Sequence, residues 1–179
     1  MTVTTADLGA GRLIEWDRQA RRNAWDLATM TAIADAMEAA GAEPDVRCIV
    51  LRGAGDHFSA GDDLQDAIQA DSAAWAATME GFQRLTRVVL AAPVPAIAAI
   101  DGVCVGGALE FAASCDLRLC TERIRLITPE VGIGLVASNA GTLLLPEVLG
   151  ESAARELLLG GEARDAAWAR EHGFATELL

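Results

Sequence analysis

The sequence predicts an α/β fold: a mostly parallel sheet covered by helices, formed as one domain over residues 1–179. Three observations carry this. Short aliphatic and β-branched runs alternate with segments of helical periodicity, the mark of βαβ units. Hydrophobic residues make up 52% of the chain and charged ones 22%, enough apolar side chain for a sizeable core. No repeat, low-complexity tract or linker interrupts the pattern.

Taken in order, Arg12 to Asp17 reads as a short strand and Arg18 to Asn23 as a polar turn. Asp26 is a helix N-cap candidate. Beyond it Leu27, Met30, Ile33 and Met37 recur at helical spacing, with Gly41 as the stop and Pro44 beyond. Val46 to Leu51 reads as a buried strand that ends at Gly53. Residues 72 to 92 read as a long amphipathic helix. Trp75, Met79, Phe82, Leu85, Val88 and Val89 lie on one face, and Pro93 ends it. Ala96 to Ile100 is an all-apolar strand with Asp101-Gly102 as its turn. A buried helix follows over Gly106 to Ser114, then strands over Asp116 to Cys120 and Ile124 to Ile127. From Asn139 onward the pattern is helical: Gly141 to Leu149, Ser152 to Leu159 and Asp165 to Glu171.

Composition excludes several classes. The net charge is -12 and all 14 cationic side chains are arginine. No basic stripe is available to neutralise phosphates, so nucleic acid is not an expected partner. A local arginine pocket remains compatible with a phosphorylated cofactor. Cys48, Cys104, Cys115 and Cys120 lie in apolar segments without a Cys-x-x-Cys pair. The expectation is buried reduced thiols of a cytoplasmic protein, with no metal site. The stretch Met1 to Asp7 has neither a basic nor an apolar region, so no signal peptide is expected. The most apolar window, Val88 to Leu109, is broken by Pro93, Pro95, Asp101 and Gly102, so no membrane span is expected.

The segments with chemistry are three. In Asp101 to Glu110 a buried strand feeds a turn, and Gly106-Gly107 open a helix whose first N–H groups have no intrahelical partner. Those donors and the positive end of the helix dipole suit a developing negative charge. Glu110 follows Gly107 by one turn on the same face, amid Leu109, Phe111, Ala112 and Ala113. A carboxylate there is costly to bury without a partner or a task. The second segment, Phe58-Ser59-Ala60-Gly61-Asp62-Asp63-Leu64, is a glycine turn whose Asp62 N–H can reach the same site. Glu130, after Pro129, is the second carboxylate. Two carboxylates and two glycine-bearing turns are what proton transfer at a carbonyl compound requires.

Together these segments resemble the crotonase superfamily, the enoyl-CoA hydratase/isomerase fold. Phe58 to Leu64 is similar to the first oxyanion segment of that family. Gly106-Gly107-Ala108-Leu109-Glu110 with Cys115-Asp116 is similar to the second. Pro129-Glu130 followed by Gly132 matches the segment of the second acid/base residue. Asp17 to Ala24 resembles the N-terminal loop that cradles coenzyme A. The likeness runs from about Leu13 to the C-terminus.

The resemblance implies a ββα spiral. It also implies an acyl-CoA substrate that brings coenzyme A as part of the thioester, with no prosthetic group. The thioester oxygen would lie between the N–H groups of Asp62 and Gly107, and Glu110 and Glu130 would hold a water between them. Coenzyme A would run along Arg18, Arg22, Asn23 and Ala24 and along Ala60, Gly61, Asp63 and Leu64. Keeping both glutamates favours hydration of an enoyl-CoA. Isomerisation is the nearest alternative, and a non-catalytic acyl-CoA-binding or interaction subunit the other. A homo-oligomer, trimer or hexamer, is implied too.

The departures are specific. Asp62 stands where a small residue is commoner, Ala108 replaces a frequent third glycine, and Gly132 to Asn139 lacks a proline before the next helix. Family members continue past the position of Leu179 into helices that cover the site. The expectation is a shortened chain, or a site closed by a partner subunit. Gly132-Ile-Gly134-Leu-Val-Ala137 fits a loose dinucleotide pattern but lacks its βαβ context. There is no lysine for a P-loop. His57 and His172 read as loop and helix-end residues, and Trp16, Trp25, Trp75 and Trp168 as packing or interface residues.

Overall fold

Pairing starts at a hairpin. Gly9, at φ +68°, closes the turn between β1 (Thr2–Leu8) and β2 (Gly11–Asp17), which run antiparallel. Every later addition to this sheet is parallel. It adds β3 (Cys48–Gly53), β4 (Ala96–Ile100), β6 (Leu117–Cys120) and β8 (Glu177–Leu178), giving the spatial order β1-β2-β3-β4-β6-β8. Two further strands, β5 (Val103–Val105) and β7 (Arg125–Ile127), pair in parallel as a small second sheet. The computed structural model describes residues 2–64 and 71–179. Met1, part of the stretch read for a signal peptide, lies outside them.

The first helix begins where the sequence places its cap. The Asp26 carboxylate accepts from the Thr29 N–H at 2.7 Å and opens α1 (Leu27–Gly41), which buries Met30, Ile33 and Met37. Asp71 does the same for α2 (Ser72–Leu90) through the Ala74 N–H, and Asp165 for α6 (Ala166–Glu171) through the Trp168 N–H. Helix α3 (Gly107–Ser114) is buried along its length from Ala108. Helices α4 (Gly141–Leu149) and α5 (Glu151–Gly160) follow in close succession across Gly150.

Three strands are absent from the sequence reading. β1 is polar and mostly exposed, held at the sheet edge by backbone bonds and one hairpin turn, so it shows no apolar period. β5 and β8 are three and two residues long, below the length at which periodicity speaks.

A knot of aromatic rings fixes the parts that matter for chemistry. Trp16, Trp25, Phe58 and Phe111 are fully buried and meet edge to face, with centroids 5.4 Å apart for Trp16–Trp25 and 5.3 Å for Trp25–Phe111. The Trp16 indole N–H donates to the Phe58 carbonyl at 2.9 Å. The Trp25 N–H donates to the Gly61 carbonyl at 2.7 Å, and the Asp63 N–H to the Trp25 carbonyl at 3.0 Å. Phe58 opens the first glycine turn and Phe111 follows Glu110, so the core holds both segments in one register. Trp16 and Trp25 are packing residues, as read. Trp75 is different, since it lines a cavity.

Candidate active site

The two glycine turns meet. Ser59 and β5 exchange backbone bonds, Ser59 N–H to the Val103 carbonyl and Val105 N–H to the Ser59 carbonyl, both 3.1 Å. Gly61 sits at φ +81°. A Cβ there would stand 2.6 Å from the Val105 carbonyl oxygen and 3.7 Å from the Gly107 nitrogen. Glycine is required, and it brings the backbone leading into Asp62 beside the start of α3. Gly107 presses against the Phe82 ring, where any side chain would collide. Asp62 and Gly107 thus border one cavity.

Each carboxylate also has a glycine beside it. Gly106, at φ +54°, leaves the space that Glu130 fills; a Cβ there would lie 2.9 Å from Glu130 Oε1. Gly141 does the same for Glu110, at 2.6 Å from Oε2. Glu110 lies in the first turn of α3 and at the N-terminus of α4. Its Oε2 accepts from the N–H groups of Asn139 at 2.8 Å and Gly141 at 2.6 Å. Ala140, between those two donors, is held at φ +69°, a left-handed backbone that aims both N–H groups at one oxygen.

Glu130 stands in the 3-10 turn Glu130–Ile133, after Pro129. Its Oε2 is buried with no hydrogen-bond partner among the described residues. Burial sets the titration of both groups. It pushes the Glu110 carboxyl up to about 7. The two N–H bonds oppose that rise and the charge of Glu130 adds to it. Glu130 is raised by burial as well, against a restraining backbone hydrogen bond. The charge of Glu130 thus favours a proton on Glu110.

Both face a cavity of about 330 Å³ between α2, α3 and the 130–139 segment. Its apolar wall is Trp75, Met79 and Phe82 from α2, with Val105, Ile133, Leu135 and Val136 opposite. Ala60, Asp62, Leu64, Gly106 and Gly107 complete it, with Ser138 and Asn139 beside the glutamates. Of the residues singled out in the sequence, Asp62, Gly107, Glu110 and Glu130 line this cavity; Gly141, Asn139 and the α2 wall were not singled out. The helical stripe of Trp75 and Met79 was visible but reads equally as core. The Asn139–Gly141 donors depend on the Ala140 conformation, for which alanine gives no signal.

The N-terminal turn is placed at some distance in chemistry. The Arg18 guanidinium donates to the Ala24 carbonyl at 2.6 Å and pairs with Asp63 at 3.1 Å and Asp26 at 3.2 Å. Asn23 is wholly buried. Its amide accepts from the Arg18 N–H and donates to the Ala54 and His57 carbonyls. Arg22, at φ +50°, is exposed, Ala24 is buried, and Leu64 is exposed at the cavity rim. Arg18 and Asp63 tie this turn to the Gly61 segment, while Arg22 presents its side chain to solvent. His57 Nδ1 accepts from the Val103 N–H at 3.4 Å and braces the turn.

The four cysteines are free thiols; Cys104, Cys115 and Cys120 are buried, and Cys48 is only half-buried. Burial pushes the Cys115 and Cys120 thiols up to about 12. Among the described residues no cluster of His, Cys, Asp and Glu could hold a metal ion, and no helix is long and apolar enough to cross a membrane.

Comparison with known proteins returns one family. The enoyl-CoA hydratase/isomerase family matches residues 12–179. The chain is 37% identical over 130 residues to YngF of Bacillus subtilis, which carries an enoyl-CoA hydratase/isomerase name; the match covers 72% of this chain and 50% of that protein. It is 34% identical over 132 residues to fer4 of Mycosarcoma maydis, named an enoyl-CoA isomerase/hydratase, covering 73% and 48%. The chain thus spans about half the length of these curated relatives. In structure it is similar to an enoyl-CoA hydratase from Thermoplasma volcanium. The TM-score is 0.93 at 30% identity, with 99% of this chain and 71% of that one covered.

Proposed function

Because the chain belongs to the enoyl-CoA hydratase/isomerase family, we propose that it is an enoyl-CoA hydratase, adding water across the α,β double bond of an acyl-CoA thioester. The observation that supports this best is the pair of buried carboxyls on one cavity, one gripped by two N–H groups and one with an oxygen to spare. Water lies between Glu110 and Glu130. The ionised glutamate takes a proton from it as the oxygen bonds to the β-carbon. The double-bond electrons move into the thioester, and the resulting enolate oxygen is held by the N–H groups of Gly107 and Asp62. One such donor lowers the barrier by about 3–4 kcal/mol. The carbonyl then re-forms, and the α-carbon takes its proton from the other glutamate. One proton shared by the pair is the active state, whichever glutamate carries it.

Coenzyme A is taken along Ala60, Gly61, Asp63 and Leu64 and along the 18–24 turn. There Arg22 is the exposed cation for a phosphate, while Arg18 and the buried Asn23 and Ala24 hold the turn from within. A subunit-built site, trimeric or hexameric, belongs to the same reading.

The mainly apolar cavity wall gives a second reading its support. A dry pocket suits an isomerase that moves one proton between carbons and admits no water. The experiment that separates them supplies crotonyl-CoA in oxygen-18 water and follows the conjugated-thioester absorbance and product mass. Label at the β-carbon supports hydration. Double-bond migration in a β,γ-enoyl-CoA without label overturns it in favour of isomerisation. Coenzyme A binding without either reaction overturns both.

A further inference from the structure

We infer that Asn139 is a third holder of the β-oxygen, its side-chain Nδ2 donating to the water that adds and to the hydroxyl of the 3-hydroxyacyl product. The inference rests on the hydratase reading and assigns the site a hydrogen-bond donor beyond the two glutamates. Asn139 is 2% exposed and lines the cavity of Glu110 and Glu130. Its backbone N–H is engaged by Glu110 Oε2 at 2.8 Å. Its Oδ1 accepts from the Thr86 hydroxyl of α2 at 2.8 Å. Nδ2 is buried with no hydrogen-bond partner among the described residues.

An unpaired buried donor is costly, and an apolar side chain at this position would avoid the penalty. Of the buried polar side-chain atoms left without a partner among the described residues, the two on residues lining this cavity are complementary. Asn139 Nδ2 can only donate and the ionised Glu130 Oε2 can only accept. A hydroxyl or water does both at once. Placed between them it would satisfy the two together, which a saturated acyl chain cannot do. Thr86 then acts as a positioning residue, holding the amide against α2.

The test compares two ligands that differ only in that hydroxyl: 3-hydroxybutyryl-CoA and butyryl-CoA, each titrated calorimetrically into wild type, Asn139→Ala and Thr86→Val. Asn139→Ala keeps the backbone N–H that grips Glu110. It is expected to bind the hydroxy ligand about tenfold more weakly while butyryl-CoA stays within about twofold, the loss of one ordinary hydrogen bond. Thr86→Val keeps Nδ2 but releases the amide, and is expected to lose about threefold on the hydroxy ligand alone. Should Asn139→Ala fail to fold, Thr86→Val carries the test. Equal losses on both ligands, or none on either, overturn the inference, because a purely structural role weakens both alike. Wild type that binds neither ligand overturns the acyl-CoA reading itself. Wild type that binds both equally overturns only the role of Asn139.

Discussion

Arg118 and Glu110 are both ionisable side chains taken almost wholly out of water, at 8% and 2% exposure, and they are treated in opposite ways. Arg118 on β6 donates from Nε to the Phe174 carbonyl at 2.7 Å and from a terminal nitrogen to the Cys115 carbonyl at 2.6 Å, with its guanidinium over the Phe174 ring. Thr176 adds bonds to the Arg118 backbone on both sides. Burial lowers its pKa, yet the bonds it makes pin the C-terminal segment to the sheet. Around Glu110 the fold satisfies one carboxylate oxygen twice over, while Glu130 Oε2 and Asn139 Nδ2 go unpartnered among the described residues. Buried polarity that is used up belongs to stability. Buried polarity that is left over, facing a cavity, belongs to a ligand.

The largest effect that would sharpen this contrast is on turnover. Glu110→Gln is expected to lower kcat on crotonyl-CoA by on the order of 10²–10⁴-fold, with coenzyme A affinity largely kept, because it removes proton transfer and leaves the shape. Steady-state kinetics beside calorimetry checks it. A rate retained within about tenfold removes Glu110 from the chemistry.

Arg118→Met should do the reverse. It leaves two buried carbonyls unpaired and is expected to cost roughly 3–5 kcal/mol in denaturant unfolding, with the rate per folded molecule unchanged. A matching loss of rate per folded molecule breaks the contrast.

Acidity separates the regions next. The folded pKa of Glu110, about 7, lies above its ordinary 4.5. The stability it contributes is therefore fully present below about 4.5 and is lost as pH rises through about 7. Wild type should lose up to about 3 kcal/mol relative to Glu110→Gln across that window. Denaturant melts of both proteins between pH 5 and pH 8, on the order of one unit apart, measure this. By the same titration kcat/KM should fall above about pH 7, as the shared proton leaves. A flat difference in stability would show that Glu110 is not held out of water.

How much of this could be read in the chain follows the same division. The Gly106-Gly107 turn and Glu110 were legible, because glycine before an apolar helix and a carboxylate inside one are anomalies against their neighbours, whereas the Gly61 turn and Glu130 were legible only as parts of the family-like set. The helices over 27–41 and 72–90 were legible through the Asp26 cap of the first and the apolar stripe and Pro93 stop of the second. Arg118 was not, since an arginine in a short strand reads as solvent-facing until the Phe174 and Cys115 carbonyls are brought to it across the fold. Asn139 and Gly141 were hidden for a similar reason. Their N–H groups converge only through the left-handed Ala140. The turn over 18–24 is legible as polar, but Asn23 becomes internal only once the carbonyls of Ala54 and His57 surround it.

The smallest effect concerns that strained alanine. Ala140→Gly should relieve the left-handed backbone and change stability by no more than about 1 kcal/mol. The entropy glycine adds to the unfolded chain offsets part of the gain. Thermal melts of the pair read it, and a large loss would mean that the alanine side chain packs rather than strains.

The most direct test sets one residue from each region side by side. Unfolding free energy and kcat on crotonyl-CoA are measured for Glu130→Gln and Arg118→Met in the same preparations. The expected result is a crossed pattern: Glu130→Gln loses turnover and keeps or gains stability, whereas Arg118→Met loses stability and keeps its rate per folded molecule. If Glu130→Gln instead retains turnover, or falls in stability as far as Arg118→Met, the unpartnered carboxylate is a structural group and the proposed chemistry at this cavity is wrong.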